Sequence, residues 1–292
     1  MIRTRPWVPY LYAAPVVALL LLVFGYPLVR VFDFSFRRIR GDSGPWIGLD
    51  NYRLVLDDPT FREAAKHSAL LLLAVPVMLV ISVLVALVLY ERMRGWRVYR
   101  SILFIPFILA VPIVGIVASY MFQFNGVVNT FLRDVGLGSL AQDWIGTSDW
   151  ALWTVMFVII WREVGFGIVL FLARMLSLDE GPLEAARIDG ATWLQRVRYV
   201  VVPEIRGAIE LYLVISSITV LAWVFAYVWT ITNGGPGDAT VVLELYIYNQ
   251  GLRNSLPGMA SAVAVMLLAV TVVAIAILFW IRSRDREEAT AR

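Results

Sequence analysis

Residues Ser177-Leu-Asp-Glu-Gly-Pro-Leu-Glu-Ala-Ala-Arg-Ile-Asp-Gly-Ala-Thr-Trp-Leu-Gln-Arg-Val-Arg-Tyr-Val-Val-Val-Pro203 read as two short helices meeting at an angle. Pro182 suits a first helical turn, where its missing N–H would be unpaired anyway. Asp179 and Glu180 place negative charge at the positive end of the helix dipole. The helix continues through Glu184, Ala185, Ala186 and Arg187 and can stop at Asp189-Gly190, because glycine tolerates a left-handed terminus. Thr192 with Gln195 three residues on has the form of a capping box that starts a second helix. Leu194, Val197 and Val201 continue it as an apolar stripe up to Pro203. Ala185, Ala186 and Gly190 leave a small-residue face that another protein can approach closely. Taken alone, the segment also fits an amphipathic loop lying on a membrane surface.

Outward from this loop the chain is apolar. Of 292 residues 60% are hydrophobic and 16% charged, and the mean hydropathy is +0.76. A soluble domain carries roughly a quarter charged residues, so an ordinary cytosolic enzyme, a disordered chain and a nucleic-acid-coating protein are excluded. Six segments reach the roughly 20 apolar residues that cross a bilayer. They are Trp7 to Val29, the stretch between Lys66 and Glu91, the first part of that between Arg100 and Arg133, Trp150 to Leu176, and those between Glu210 and Asp238 and between Arg253 and Arg282. The first is too long, and lacks the cleavage site, for a removed signal peptide. Placing both termini in the cytoplasm puts fifteen basic residues inside, including Arg3, Arg5, Arg92 and Arg292, and eight outside. That is the expected bias, although Arg37, Arg38 and Arg40 after the first span oppose it. The outer loops at 34–65, 125–149 and 233–256 read as irregular and polar, with turns at Gly41-Asp-Ser-Gly-Pro45, Gly136-Leu-Gly138 and Asn233-Gly-Gly-Pro-Gly237.

The chemistry is narrow. Cysteine is absent and His67 is the single histidine, so no two-histidine zinc motif or thiolate centre assembles. Lys66 is the single lysine and no glycine precedes it, so no Walker A phosphate loop is present. No catalytic dyad and no metal site is expected, and the chain is not read as an enzyme.

The segment Glu184-Ala-Ala-Arg-Ile-Asp-Gly-Ala191, followed after eleven residues by Pro203, resembles the EAA loop of permease subunits of binding-protein-dependent ABC importers. Gly48-Leu-Asp-Asn-Tyr52, Phe61, Arg100-Ser-Ile-Leu-Phe-Ile-Pro106 and Thr232-Asn-Gly-Gly-Pro236 match the maltose/multiple-sugar branch in order, and the first of its two permease types. The resemblance runs from Pro9 to Ile281. It implies an all-α bacterial inner-membrane protein of six transmembrane helices with the type I ABC importer permease fold. The division is 1–65 for the first helix and outer loop, 66–282 for the permease domain with its coupling loop at 177–206, and 283–292 for a cytoplasmic tail. The helix around Glu184, Ala185, Ala186, Asp189 and Gly190 would be the coupling helix, seated in one of two separate ATPase subunits that use ATP and magnesium. One such loop and no internal repeat imply half a pathway and a second, related permease. A solute-binding protein would dock outside, near Asn233, Gly234, Gly235 and Pro236; on residue chemistry alone that motif is equally a tight turn. The family's second proline is replaced by Gly207, so the inner start of the fifth span is expected to be less rigid.

Ionisable residues in mid-membrane are functional hypotheses by default. Arg162 and Glu163 interrupt the fourth span, with Gly165-Phe166-Gly167 after them. They read either as a cavity-lining site for a polar solute or as a pair joining this helix to the second permease. In sugar-importer relatives the positions of Glu163 and Phe166 lie near bound sugar. Ser217, Val220, Leu221 and Val224 share one helical face by spacing, where the family places substrate contacts, although maltose relatives have polar residues at Leu221 and Val224. Trp223, Tyr227 and Trp229 offer faces for a pyranose ring or form an interfacial belt. Pro76, Pro106 and Pro112 imply kinks, and His67 reads as a surface or interface residue. A glycerol-phosphate cargo stays open through Arg162, and a polyamine would need more acids. An ion-coupled secondary transporter would need repeats and several buried acids, which the sequence lacks.

Overall fold

The computed structural model describes residues 8–39, 43–91 and 94–290; Arg3, Arg5, Arg40, Arg92 and Arg292 of the charge count, and Gly41-Asp42 of the first turn, lie outside them. Among the described residues the regular structure is helical, apart from one antiparallel bridge between Arg37 and Trp46. Four stretches are long and apolar enough to cross a bilayer alone: Tyr10–Ser35, Pro59–Tyr90, Ser148–Leu176 and Pro257–Ile277. Two more are bent pairs, Trp96–Ile108 with Val111–Met121 at 96° and Trp193–Glu204 with Arg206–Ala222 at 68°. Counting each pair once gives the six expected spans.

The elements in order are α1 (Val8–Leu20), α2 (Tyr26–Ser35), α3 (Asp50–Asp57), α4 (Pro59–Leu71), α5 (Ala74–Tyr90), α6 (Trp96–Ile108), α7 (Val111–Met121), α8 (Val127–Asp134) and α9 (Ser148–Leu176). There follow α10 (Glu180–Ile188), α11 (Trp193–Arg196), α12 (Val202–Glu204), α13 (Arg206–Ala222), α14 (Phe225–Ile231), α15 (Leu243–Tyr248) and α16 (Pro257–Thr290). A wide turn at Leu21–Gly25 joins α1 to α2, and another at Val197–Val201 joins α11 to α12. The loops at 34–65, 125–149 and 233–256 are therefore more regular than their composition suggested, since α3, α8 and α15 lie within them. The third span is broken. Pro112 has no N–H to offer the Ile108 carbonyl and its ring would strike that turn, so Leu109 and Ala110 are extended between α6 and α7. Pro76 acts in the same way on the Leu72 carbonyl, and Leu72-Leu73 forms a tight turn between α4 and α5. The fifth span is also shorter than read, ending at Ala222 with Trp223 at φ −138°.

The chain divides into two compact units. The first joins residues 1–61 with 246–270, and its knot is the Gly48-to-Tyr52 motif. Asn51, buried, donates to the carbonyls of Ser35 and Arg37, both at 2.9 Å. Tyr52 donates to Ser35 Oγ at 2.8 Å, and Phe36 stacks on Trp46 at 5.1 Å. Phe61 meets Tyr246 edge-on at 5.8 Å, and the Tyr246 hydroxyl donates to Asp58.

The second unit joins residues 62–245 with 271–292. Here α9 packs on α5 and α6, α13 on α5 and α9, and α7 on α14. The approach of α9 to α5 depends on Gly167, where a Cβ would stand 2.4 Å from Ser82 Oγ and 2.7 Å from the Tyr212 ring. Overpacking of this kind costs roughly 1–3 kcal/mol. Gly167→Ala should therefore lower the melting temperature of the detergent-solubilised protein, and Gly167→Leu should lower it further.

Candidate functional site

The mid-membrane charges lie in the second unit, on α9. Arg162 and Glu163 are each 12% exposed in their side chains and pair directly through Arg162 Nη1 and Glu163 Oε1. The guanidinium also donates to the Phe107 carbonyl at 3.1 Å, to the Leu109 carbonyl at 3.0 and 3.1 Å, and to the Tyr227 hydroxyl at 3.2 Å, and it lies over the Phe107 ring. Those carbonyls are stranded at the break that Pro112 imposes, and helix ends need such partners. Arg162 thus closes a break inside its own chain, which neither expectation foresaw. Tyr227 donates to Glu163 Oε1 at 2.6 Å, so both bonds to the carboxylate fall on one oxygen.

Glu163 and Phe166 then line a pocket of about 120 Å³ with Met78, Phe107, Ser216 and Thr219 among its walls. The Phe107 and Phe166 rings stack at 5.5 Å. A carboxylate and two hydroxyls beside aromatic rings are a set that can hydrogen-bond a polyol, the Phe166 ring itself being stacked against both Phe107 and Tyr212.

The fifth-span face is corrected. Ser216, not Ser217, lines the pocket. Leu221 and Val224 are 6% and 1% exposed and belong to the chain's own core. For Val224 helical spacing fails because α13 stops at Ala222, so the seven-residue interval from Ser217 crosses the break, while Leu221, still within α13, is on the side packed into the chain. Tyr227, 1% exposed, serves the buried network and offers no free ring face, while Trp223 is open to the exterior. The signal that finds the lining is Tyr212, Ser216 and Thr219, the polar positions of one stripe on an apolar helix.

The loop after α9 forms as read. Asp179 caps α10 by accepting from the Gly181 N–H at 3.1 Å. Gly190 at φ +75° ends it, with Gly190 N–H bonded to the Arg187 carbonyl and Ala191 N–H to that of Ala186, at 3.1 and 3.0 Å. That is the two-bond glycine stop of helix C-termini. Thr192 and Gln195 form the capping box of α11. Arg196 donates across the joint to the Ala191 carbonyl at 2.8 Å, Trp193 donates to Glu91 at 3.1 Å, and Arg174 holds the Glu204 carbonyl at 3.2 Å. Leu183 is buried as the anchor, whereas Glu184, Ala185, Asp189 and Gly190 are exposed and Ala186 is half-buried. Ile188 is 87% exposed and Leu194 66%, so the apolar stripe read into α11 opens outward at its first residue.

At the opposite end Asn233, at φ +52°, ends α14 with its N–H on the Val228 carbonyl at 2.8 Å. Gly234 is buried, and Thr240 ties the turn through the Gly235 carbonyl at 2.9 Å. Pro236 to Ala239 then edge a groove of about 700 Å³ with Glu63, His67, Asp149 and Trp153. His67 is bound to the Val241 carbonyl through Nδ1 at 2.9 Å. In the same loop, Glu244 accepts the Val224 N–H at the start of α14 at 3.1 Å, and burial pushes its carboxyl up to about 8 from an ordinary 4.5. The folded chain then binds more protons than the unfolded one between those values, so stability falls as pH rises through that window. Glu244→Gln should raise the melting temperature more at pH 9 than at pH 5.

The sequence profile of the family described as "Binding-protein-dependent transport system inner membrane component" matches residues 58–286. The sulfoquinovosyl glycerol transport system permease protein SmoG of Agrobacterium fabrum is 30% identical over 93% of this chain and 89% of its own. The lactose transport system permease protein LacF of Rhizobium radiobacter is 28% identical over 91% and 90%. A solved bacterial alginate ABC transporter, in complex with an alginate pentasaccharide-bound periplasmic protein, superposes with a TM-score of 0.81 over 93% of this chain and 92% of that chain, at 24% identity. The fold is that of an ABC importer permease.

Proposed function

The chain belongs to the family of inner-membrane components of binding-protein-dependent transport systems, and we propose that it is the permease subunit of an ATP-driven carbohydrate importer. The observation that carries the cargo class is the pocket at mid-span, where Glu163 meets the Phe107–Phe166 stack and the Ser216 and Thr219 hydroxyls. Relatives named for lactose and sulfoquinovosyl glycerol support the same class. At about 120 Å³ the pocket is below the 300–1,000 Å³ usual for a bound small molecule. It is read as one wall of a pathway whose other wall is a second permease.

The exposed face of α10 seats in an ATPase subunit, one of two that bind ATP and magnesium. Their closure rocks the permease pair between inward-facing and outward-facing states. Sidedness follows from this reading: the loop with Arg187, Arg196 and Arg198 faces the cytoplasm, as do both termini, and the Asn233-to-Pro236 turn faces a docked solute-binding protein. A glycerol-phosphate cargo is the weaker reading, because Arg162 directs its N–H groups at two carbonyls, Glu163 and Tyr227.

The test is purification with the associated subunits, followed by ATPase assays with candidate sugar-loaded binding proteins. Stimulation by one sugar is expected, and uptake driven by an ion gradient without ATP would overturn the proposal. Glu163→Ala removes a charged hydrogen-bond acceptor worth about 1.5–3 kcal/mol. Uptake of the cognate sugar should fall roughly tenfold or more while the subunits still assemble.

A further inference from the structure

We propose that the groove between α5 and α6 is a binding site for one anionic phospholipid, distinct from the solute pathway. The groove measures about 300 Å³ and is lined by Leu84, Val85, Val88 and Leu89 of α5 and by Tyr99 and Leu103 of α6. On α5 the pairs 84/88 and 85/89 lie one turn apart, and Tyr99 and Leu103 repeat that spacing on α6, so the slot runs along both helices. Every lining group is apolar except the Tyr99 phenol. A Cβ on Gly95 would stand 3.5 Å from the Tyr99 ring, which puts that ring at the first turn of α6, the end next to Arg94 and Gly95.

The charge at that end is arranged. Arg97 and Arg100 both lie over the Trp96 ring, at 5.7 and 5.8 Å, so one indole gathers two guanidiniums on the same turn. Both are exposed, as is Arg94. None of the three has a carboxylate partner among the described residues. Arginines that only set topology need neither a shared aromatic support nor an adjoining slot. Together the two features match a molecule with an anionic head and a long apolar tail. Guanidinium forks take phosphate oxygens, and basic pockets between transmembrane helices hold anionic head groups. Free phosphate fits the arginines alone and leaves the slot unfilled. Under the sidedness proposed above, these arginines face the inner leaflet, where anionic lipid would meet them.

Native mass spectrometry of the delipidated, full-length protein in its transporter complex tests this, with phosphatidylglycerol, phosphatidylcholine and inorganic phosphate as separate probes. One phosphatidylglycerol should bind in preference to phosphatidylcholine. At roughly fivefold per arginine, Arg97→Gln with Arg100→Gln should weaken that binding roughly 25-fold, and Arg97→Lys should keep most of it. Val88→Trp, which fills the slot from an exposed position, should weaken phosphatidylglycerol binding without touching the arginines. Equal retention of both lipids, binding unchanged in the double variant and in Val88→Trp, or inorganic phosphate competing at the same concentration would each overturn the proposal.

Discussion

Gly190→Asp is expected to leave a folded, membrane-inserted chain in which ATP hydrolysis no longer drives uptake, and Glu184→Lys is expected to do the same. Gly190 ends α10 at φ +75°, and nothing lies within 4 Å of where its Cβ would be. An L-residue there meets backbone strain of about 1–2 kcal/mol and no clash, so the chain's own packing survives. The outward side of the joint is different. Glu184, Ala185 and Gly190 are exposed around Ile188, a large apolar side chain that is 87% exposed. Under the coupling proposal that face is buried against an ATPase, and an unpaired charge forced into such a contact costs about 3–5 kcal/mol. That corresponds to a roughly 100-fold or greater loss of productive association. In proteoliposomes with the binding protein loaded, uptake should collapse while the melting temperature moves little. Gly190→Ala separates strain from charge: it shares the backbone cost and should retain most uptake. If Gly190→Asp and Glu184→Lys both transport normally, α10 is not the coupling element.

What the sequence disclosed and what it withheld divide along a physical line. The loop at 177–206 was legible because its signals are local: acidic residues at a helix start, a glycine stop and a threonine–glutamine box act within four residues, and all form as read. The six apolar spans were legible because length and hydropathy are also local sums. The misreadings come where one element's geometry depends on another. Pro112 announced a kink, but not that the break would be bent by 96° or that Arg162, fifty residues on, would be recruited to its carbonyls. Val224 was placed on a pathway face by counting along a helix that stops at Ala222, and Leu221 by a face whose packing against the rest of the chain spacing alone does not reveal. Tyr227 looked like a stacking platform because sequence cannot show that its hydroxyl is claimed by Glu163. Glu163 stood out because a mid-span acid is rare and Phe166 through the family resemblance, whereas Ser216 and Thr219, which line the same pocket, are common residues made distinctive only by the stripe they share.

Arg162→Met is expected to give the largest loss of stability of any single change considered, because four partners depend on one guanidinium. The substitution keeps the length of the apolar stem and removes the charge. It leaves the Phe107 and Leu109 carbonyls without donors at the α6–α7 break, and Glu163 as a nearly buried carboxylate held only by Tyr227. Removing one member of a buried ion pair costs about 3–5 kcal/mol, because the other charge is left uncompensated. Stranded carbonyls add to this, at about 1–3 kcal/mol for each buried group left unsatisfied. Neutralising both charges separates the terms. Arg162→Met with Glu163→Gln removes the unpaired carboxylate but not the stranded carbonyls, so it should regain part of the loss and stop short of the wild type. Glu163→Gln alone keeps an acceptor for Tyr227 and leaves Arg162 on its carbonyls, so it should be the mildest of the three. Thermal unfolding of the four proteins in one detergent gives the cycle. If Arg162→Met melts with the wild type, the guanidinium is not what holds the broken third span to α9. If the double variant recovers fully, the carbonyl bonds contribute nothing and the ion pair alone accounts for the effect. Transport reports on the other half of the assignment. The double variant should remain poor at uptake even where stability returns, because Glu163 is the carboxylate proposed to meet the sugar.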